Sequence, residues 1–147
     1  MVESNKFLIH TDGGARGNPG PAAIGVVIGA LDGSLKKEYG EYIGETTNND
    51  AEYQAVIFAL KKLKLLVGKE TAGKARVEVR VDSELVERQL NGYYKIMDAT
   101  IQKHFLELWN LRVDFDDVIF KHIRREENHE ADRLVNVALD KELNKLL

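Results

Sequence analysis

Four acids are spaced so that metal-ion chemistry comes within reach: Asp12, Glu52, Asp82 and Asp132. Asp12 follows the apolar residues 7–9 and precedes a run rich in Gly and Pro, residues 13–21. Asp82 closes an alternating run, and Glu52 and Asp132 fall in the first turns of predicted helices. Four carboxylates brought together without cations would repel one another, and some would take up protons. A divalent metal resolves that conflict. Oxygen ligands in a chain with 0 Cys and no His cluster suit Mg²⁺ or Mn²⁺. Two such ions about 4 Å apart can activate a water and stabilise the leaving oxygen of a phosphodiester. Each acid alone also reads as solvated surface, and Glu52 as an exposed acid at a helix N-terminus. The set of four points to metal.

The elements that must position these acids are legible from periodicity. Residues 7–12 read as a first strand that presents Asp12 at its tip and then turns sharply. Residues 22–30 and 35–43 read as two further strands joined by a hairpin turn at Asp32-Gly33-Ser34. A helix over 50–66, capped by Thr47 or Asn48, has Ala55, Val56, Ala59, Leu60, Leu63 and Leu66 as its apolar face. Glu52 leads that stripe. Residues 67–74 read as loop. Residues 75–81 alternate, with Val77, Val79 and Val81 on one face and Glu78, Arg80 and Asp82 on the other. A short helix, 83–90, follows. The next, 98–111, has Ile101, Phe105, Leu108 and Trp109 as its apolar face. Residues 113–123 read as the fifth strand. The final helix, 126–146, turns Ala131, Leu134, Val135, Ala138, Leu139 and Leu143 inward, with Asp132 beside that stripe.

A β-meander followed by βα units predicts an α/β fold with a five-stranded mixed sheet, order 3-2-1-4-5, flanked by helices. Parallel neighbours then carry Asp12 and Asp82 to the same edge, where open α/β sheets bind ligands. The 147 residues fit a single domain, 1–147, with a sizeable core. Hydrophobic residues make up 44% and charged residues 31%, the composition of a soluble protein. No apolar stretch suits a signal peptide or a membrane span, so the expectation is a cytoplasmic monomer with no membrane partner. The net charge of −3 means that any nucleic-acid binding rests on local basic groups, on metal, or on both.

The motifs, taken together and in order, resemble type 1 ribonuclease H from residue 7 to about residue 139. They are Thr11-Asp12-Gly13-Gly14 with Gly17-Asn18-Pro19-Gly20; Thr46-Thr47-Asn48-Asn49-Asp50-Ala51-Glu52; Val81-Asp82-Ser83; and Arg125-Glu126-Glu127-Asn128-His129-Glu130-Ala131-Asp132. The resemblance implies the ribonuclease H-like fold. It also implies a metal-dependent endonuclease that hydrolyses the RNA strand of RNA–DNA hybrids, leaving 5′-phosphate and 3′-hydroxyl ends. By the same resemblance Asp12, Glu52, Asp82 and Asp132 are the catalytic metal-binding acids, holding two Mg²⁺ ions for which Mn²⁺ can substitute. Gly13, Gly14, Arg16, Asn18, Asn48 and Asn49 match substrate-contacting positions, and Thr47 matches a residue that helps to hold a DNA phosphate. Asn can donate to and accept from ribose and base edges, and the 2′-hydroxyl marks RNA. Asn18, Asn48 and Asn49 read equally as capping and turn residues.

The chain departs from the family pattern at two places. The connection into the last helix is short and places His122 in the strand, so the mobile-loop His of many members is absent. His129, three residues before Asp132, is the candidate auxiliary group in its place. The basic protrusion of some bacterial members is also absent, because Leu90-Asn91-Gly92-Tyr93-Tyr94-Lys95 runs almost directly into the next helix. Grip on a nucleic acid then falls to Arg16, Arg124, Arg125 and Lys95 with Tyr93 and Tyr94. Lys61, Lys62 and Lys64 read as a solvated helix face. Two rivals remain: another nuclease of the same fold, of resolvase or exonuclease type, or a hybrid-binding module without activity.

Overall fold

The computed structural model describes residues 5–145. The predicted end of the last helix at Leu146 lies outside them, as do the first residues of the polar start, 1–4. Strands β1 (Lys6–Ala15), β2 (Gly20–Ala30) and β3 (Lys36–Thr46) form the meander. They are followed by α1 (Asn48–Val67), α2 (Lys69–Ala72), β4 (Arg76–Val81), α3 (Glu84–Leu90), α4 (Ala99–Arg112), β5 (Asp117–His122) and α5 (His129–Asn144). The sheet order is β3-β2-β1-β4-β5, as the pattern of elements predicts. The β1–β2 and β2–β3 pairs are antiparallel, and β4 is parallel to both β1 and β5.

The strand β1 does not end at Asp12. Its pairing with β2 continues to Ala15↔Ala22, whereas its pairing with β4 stops at His10↔Arg80. The antiparallel ladder carries the backbone straight through Gly13 and Gly14. Asp12 therefore lies just past the point where β1 and β4 part. The turn comes later, at residues 16–19, where Gly17 takes φ 89° and Arg16 N–H donates to the Pro21 carbonyl at 2.8 Å.

Three other boundaries differ from expectation. Gly68, at φ 87°, ends α1, and the short turn of α2 forms within the expected loop, seating Ala72 in the core. The fifth strand starts at Asp117 rather than at residue 113. Helical hydrogen bonds continue past α4 through Asp114 N–H and Phe115 N–H, and Val113 is exposed. The last helix starts at His129, because residues 125–127 form a separate 3₁₀ turn.

The helix α1 packs on one face of the sheet through Ala55, Val56, Ala59, Leu60 and Leu63, all buried. Burial of a side chain such as Leu60 or Leu63 contributes about 1.5–3 kcal/mol. From α4, Ile101 and Leu108 are buried, but Trp109 is 54% exposed and lies alongside the Arg112 guanidinium, so it is not part of the inward face. Leu66 likewise stands at the rim, 37% exposed. The other face is covered by α5, whose Val135, Ala138 and Leu139 cluster with Ala23. This helix approaches very closely: a Cβ on Gly25 would lie 2.1 Å from the Ala131 carbonyl oxygen.

The first turn of α1 is fixed from several sides. Thr47 caps it, accepting from Asp50 N–H at 3.2 Å. The buried Asp50 carboxylate accepts from Thr46 Oγ1 at 2.8 Å, from Gln54 Nε2 at 2.6 Å, and bonds His104 Nε2 of α4 at 2.5 Å. Burial alone would push this acid's pKa up. Hydrogen bonds from Thr46, His104 and Gln54 outweigh it and hold the carboxyl below its ordinary value.

Candidate active site

Asp12, on β1, is half-buried, and its Oδ1 accepts from the neighbouring Gly13 N–H at 3.0 Å. Glu52 reaches it from α1 because Gly13 has no side chain: a Cβ there would sit 2.3 Å from Ala51 C and 2.5 Å from Glu52 N. Gly13 is buried, so this position acts through packing. Asp82 stands directly after β4. One carboxylate oxygen from each of Asp12, Glu52 and Asp82 lies within 4.8 Å of the others.

Asp132, in the first turns of α5, is outside this trio but lines the same cleft, of about 350 Å³, with Asp12 and Glu52. The structure therefore gathers three of the expected acids tightly and sets the fourth at the cleft wall. Arg125 lines the cleft as well.

Electrostatics record the crowding. Burial pushes the Asp12 carboxyl up to about 8, helped by the charges of Asp82, Glu52 and Asp132 and opposed by the Gly13 N–H. Burial pushes Glu52 up to about 7. The Ser83 hydroxyl pulls it back, Asp82 adds to the rise, and Arg125 lowers it. Buried carboxylates that resist ionisation, with converging oxygens and no thiolate, are a donor set that can hold a divalent cation.

A pH dependence follows. The values about 8 and about 7 exceed the ordinary 3.8 and 4.5, so the folded state binds more protons than the unfolded state in this window. Stability from this source is full at low pH and is lost as pH rises through about 4 to 8. Thermal melts in chelator are expected to show the melting temperature falling across that range. Added Mg²⁺ should restore it at the alkaline end. A flat profile in chelator would show that the acids are not strained together.

The expected substrate-facing residues divide. Asn18 Oδ1 accepts from Asn48 N–H at 3.0 Å, and Asn48 Oδ1 accepts from Ala15 N–H at 2.8 Å. Both thus tie the glycine loop to the start of α1. Among the described residues no hydrogen bond uses either side-chain NH₂. Thr47, Asn49 and Asn18 line a second cleft, of about 420 Å³, with Thr46, Asp98 and Thr100. Gly14 and Arg16 line the acidic cleft, but the Arg16 guanidinium is held by Asp140 at 2.7 Å and Asn136 at 3.3 Å. His129 is exposed at the start of α5 and is not among the cleft-lining residues, so the structure does not bring it to the acids. His122 closes β5, as expected. Tyr93 and Tyr94 are 70% and 51% exposed between α3 and α4.

Two polar side chains at the acids carried no expected role. Ser83 caps α3 by accepting from Val86 N–H at 3.2 Å and also lies beside Glu52. Asn128 Nδ2 donates to Asp82 Oδ2 and to the Thr11 carbonyl, both at 2.9 Å. Both residues stand in the motifs, but nothing in their spacing says which way their side chains turn.

A mixed sheet of this order, with acids gathered where β1 and β4 part, defines the ribonuclease H-like class of α/β proteins. A family profile described as reverse transcriptase-like matches residues 10–138. The chain is 42% identical over 131 residues to Ribonuclease HI of Halobacterium salinarum, covering 89% of this chain and 63% of that protein. A Ribonuclease H of Polynucleobacter asymbioticus is 32% identical, over 96% of this chain and 92% of its own length. The crystal structure of LC11-RNase H1 in complex with RNA/DNA hybrid superposes with a TM-score of 0.87 at 48% identity, covering 93% of this chain and 99% of that one. The chain belongs to the type 1 ribonuclease H family. It spans 63% of the halobacterial protein and only 36% of a matching bifunctional protein of Mycobacterium tuberculosis. No described helix is long and apolar enough to cross a membrane.

Proposed function

We propose that the chain is a metal-dependent endonuclease that hydrolyses the RNA strand of RNA–DNA hybrids. The observation that carries this reading is the convergence of carboxylate oxygens from Asp12, Glu52 and Asp82 at the sheet edge. The hybrid bound by the related LC11 enzyme supports the choice of substrate.

Asp12, Glu52 and Asp82 would hold the cations, and Asp132 would complete the set from the cleft wall. The chemistry supplied by two bound Mg²⁺ ions, or Mn²⁺ in their place, is activation of a water and stabilisation of the leaving oxygen. In the overall reaction a water oxygen bonds to phosphorus, the P–O3′ bond breaks, and the products carry 5′-phosphate and 3′-hydroxyl ends. The protein's own groups orient the strand. The free NH₂ groups of Asn18 and Asn48, together with Asn49, suit contacts to the 2′-hydroxyl and base edges in a shallow groove. The Thr47 hydroxyl, which accepts from Asp50 N–H and keeps its own O–H to donate, suits a DNA phosphate. Gly14 leaves backbone open to the cleft. Arg16, held by Asp140, contributes at the rim. His129 is a candidate for product release only if it moves from its observed place.

The test is cleavage of an end-labelled hybrid in Mg²⁺ and in Mn²⁺, beside single-stranded RNA, duplex DNA and duplex RNA. Internal cuts confined to the hybrid's RNA, and absent with chelator, are expected. Cuts in branched or duplex DNA instead would favour a resolvase or exonuclease. Hybrid binding without cuts in either metal would identify a binding module.

A further inference from the structure

We propose that Asn128 is a positioning residue that sets the Asp82 carboxylate for metal, an inference that rests on the metal-dependent reading above. Asn128 stands at the N-cap position of α5, where an Asn side chain ordinarily accepts from the first backbone N–H groups. Here it makes no capping bond. The residue is 1% exposed, and its Oδ1 is buried with no hydrogen-bond partner among the described residues. The residue instead spends its two N–H donors across the fold. One goes to Asp82 Oδ2 and the other to the Thr11 carbonyl, each at 2.9 Å. Both neighbours accept only, so the amide cannot turn over without losing both bonds. A buried carbonyl left unpaired is unfavourable, and its retention indicates that the donors are what the site needs.

The placement gives those donors a task. The last β1–β4 pair is His10↔Arg80, so Thr11, Asp12 and Asp82 all lie beyond the paired residues. The Asn128 amide spans that parting. It ties Asp82 to the residue before Asp12. Its own backbone carbonyl also accepts from Asp132 N–H at 3.1 Å. One residue thus links the segments that bear Asp12, Asp82 and Asp132. The bond to Oδ2 restricts how the Asp82 carboxylate can turn beside Asp12. Partners of this kind change metal affinity or activity by about 10- to 100-fold when removed.

The experiment uses the full chain. Mn²⁺ binding is measured by calorimetry, and hybrid cleavage by kcat and KM, for wild type, Asn128→Ala, Asn128→Asp, Asp82→Ala and the double variant Asp82→Ala/Asn128→Ala. The expected result is Mn²⁺ affinity weakened at least about 10-fold and kcat lowered by about 10- to 100-fold, with KM for hybrid within about twofold. The double variant should bind Mn²⁺ no more weakly than Asp82→Ala alone, because Asn128 acts through Asp82. Lowered melting temperature with wild-type Mn²⁺ affinity and kcat would overturn the proposal, as would additive losses in the double variant. If the variants do not fold, wild type decides: the Asn128 side-chain NH₂ signals should shift on Mg²⁺ titration in step with binding. Signals that stay fixed while Mg²⁺ binds would overturn it. Wild type that binds metal without cutting would sink the nuclease reading, while the metal measurements still decide the role of Asn128.

Discussion

Asp12→Asn is expected to leave the protein folded, to make it more stable without metal, and to remove cleavage. The amide keeps the shape of the carboxylate but not its charge. Asp12 receives the charges of Asp82, Glu52 and Asp132 and so sits at the electrostatic centre of the site. A neutral ligand there weakens cation binding and the charge stabilisation that the cations provide. A loss of at least about 10³-fold in kcat, roughly 4 kcal/mol, is expected. The stability effect runs the other way. With its pKa pushed up to about 8, the wild-type carboxylate ionises only at a cost to the fold. Above that pH the metal-free variant should be more stable by about 2 kcal/mol, after allowance for the partial exposure of the group. Below about pH 4 the wild-type group is protonated in the folded and the unfolded chain alike, and the difference should disappear. Chelator melts of both proteins at the two pH values, with cleavage assays in Mg²⁺, check both halves. Cleavage within tenfold of wild type, with unchanged circular dichroism, would remove Asp12 from the mechanism.

The sheet was readable because its cues are local. Val77, Val79 and Val81 alternate with Glu78, Arg80 and Asp82, and the structure buries the three valines. The meander and the two crossovers then left one economical strand order. The α1 face was readable for the same reason, down to Leu63. What failed to show in sequence was set by partners. β1 runs through Gly13 and Gly14 because β2 continues beside it, and glycine alone suggests a turn. Trp109 looks inward by spacing, yet the packing of α4 leaves it beside Arg112 at the surface. The four acids were evident from motif and register. Their unequal grouping was not, because Asp132 depends on where α5 begins, and a 3₁₀ turn moved that start to His129. Asn128 and Ser83 were visible as letters only, since the direction of a side chain bond is a tertiary fact.

Gly13→Ala tests whether the approach of α1 to β1 builds the site. The added methyl would meet Ala51 C at 2.3 Å, Ala51 O at 2.4 Å and Glu52 N at 2.5 Å. All three are backbone atoms, so no side chain can swing away. Gly13 does not have a positive φ, so the effect arises from space and not from backbone strain. The first turn of α1 cannot yield freely, because Thr47 caps it and Asp50 binds Thr46, Gln54 and His104. Overpacking of this kind costs about 1–3 kcal/mol, and more where backbone must move. Any shift that relieves it carries Glu52 away from Asp12. A displacement of about 1 Å at a reacting centre can cost roughly 10²-fold in rate. The expected outcome is a lower urea midpoint, weaker Mn²⁺ binding and at least about 10²-fold slower cleavage. Gly29→Ala is the matched control for stability, since its methyl would meet only the Leu8 and Leu35 carbonyl oxygens, at 3.8 and 3.9 Å. If Gly13→Ala kept both its midpoint and its Mn²⁺ affinity, α1 would be free to slide, and Glu52 would owe its position to the cation rather than to the fold. If both fall together, the glycine that looks like a turn signal is instead the contact that lets a helix acid and a strand acid share a metal.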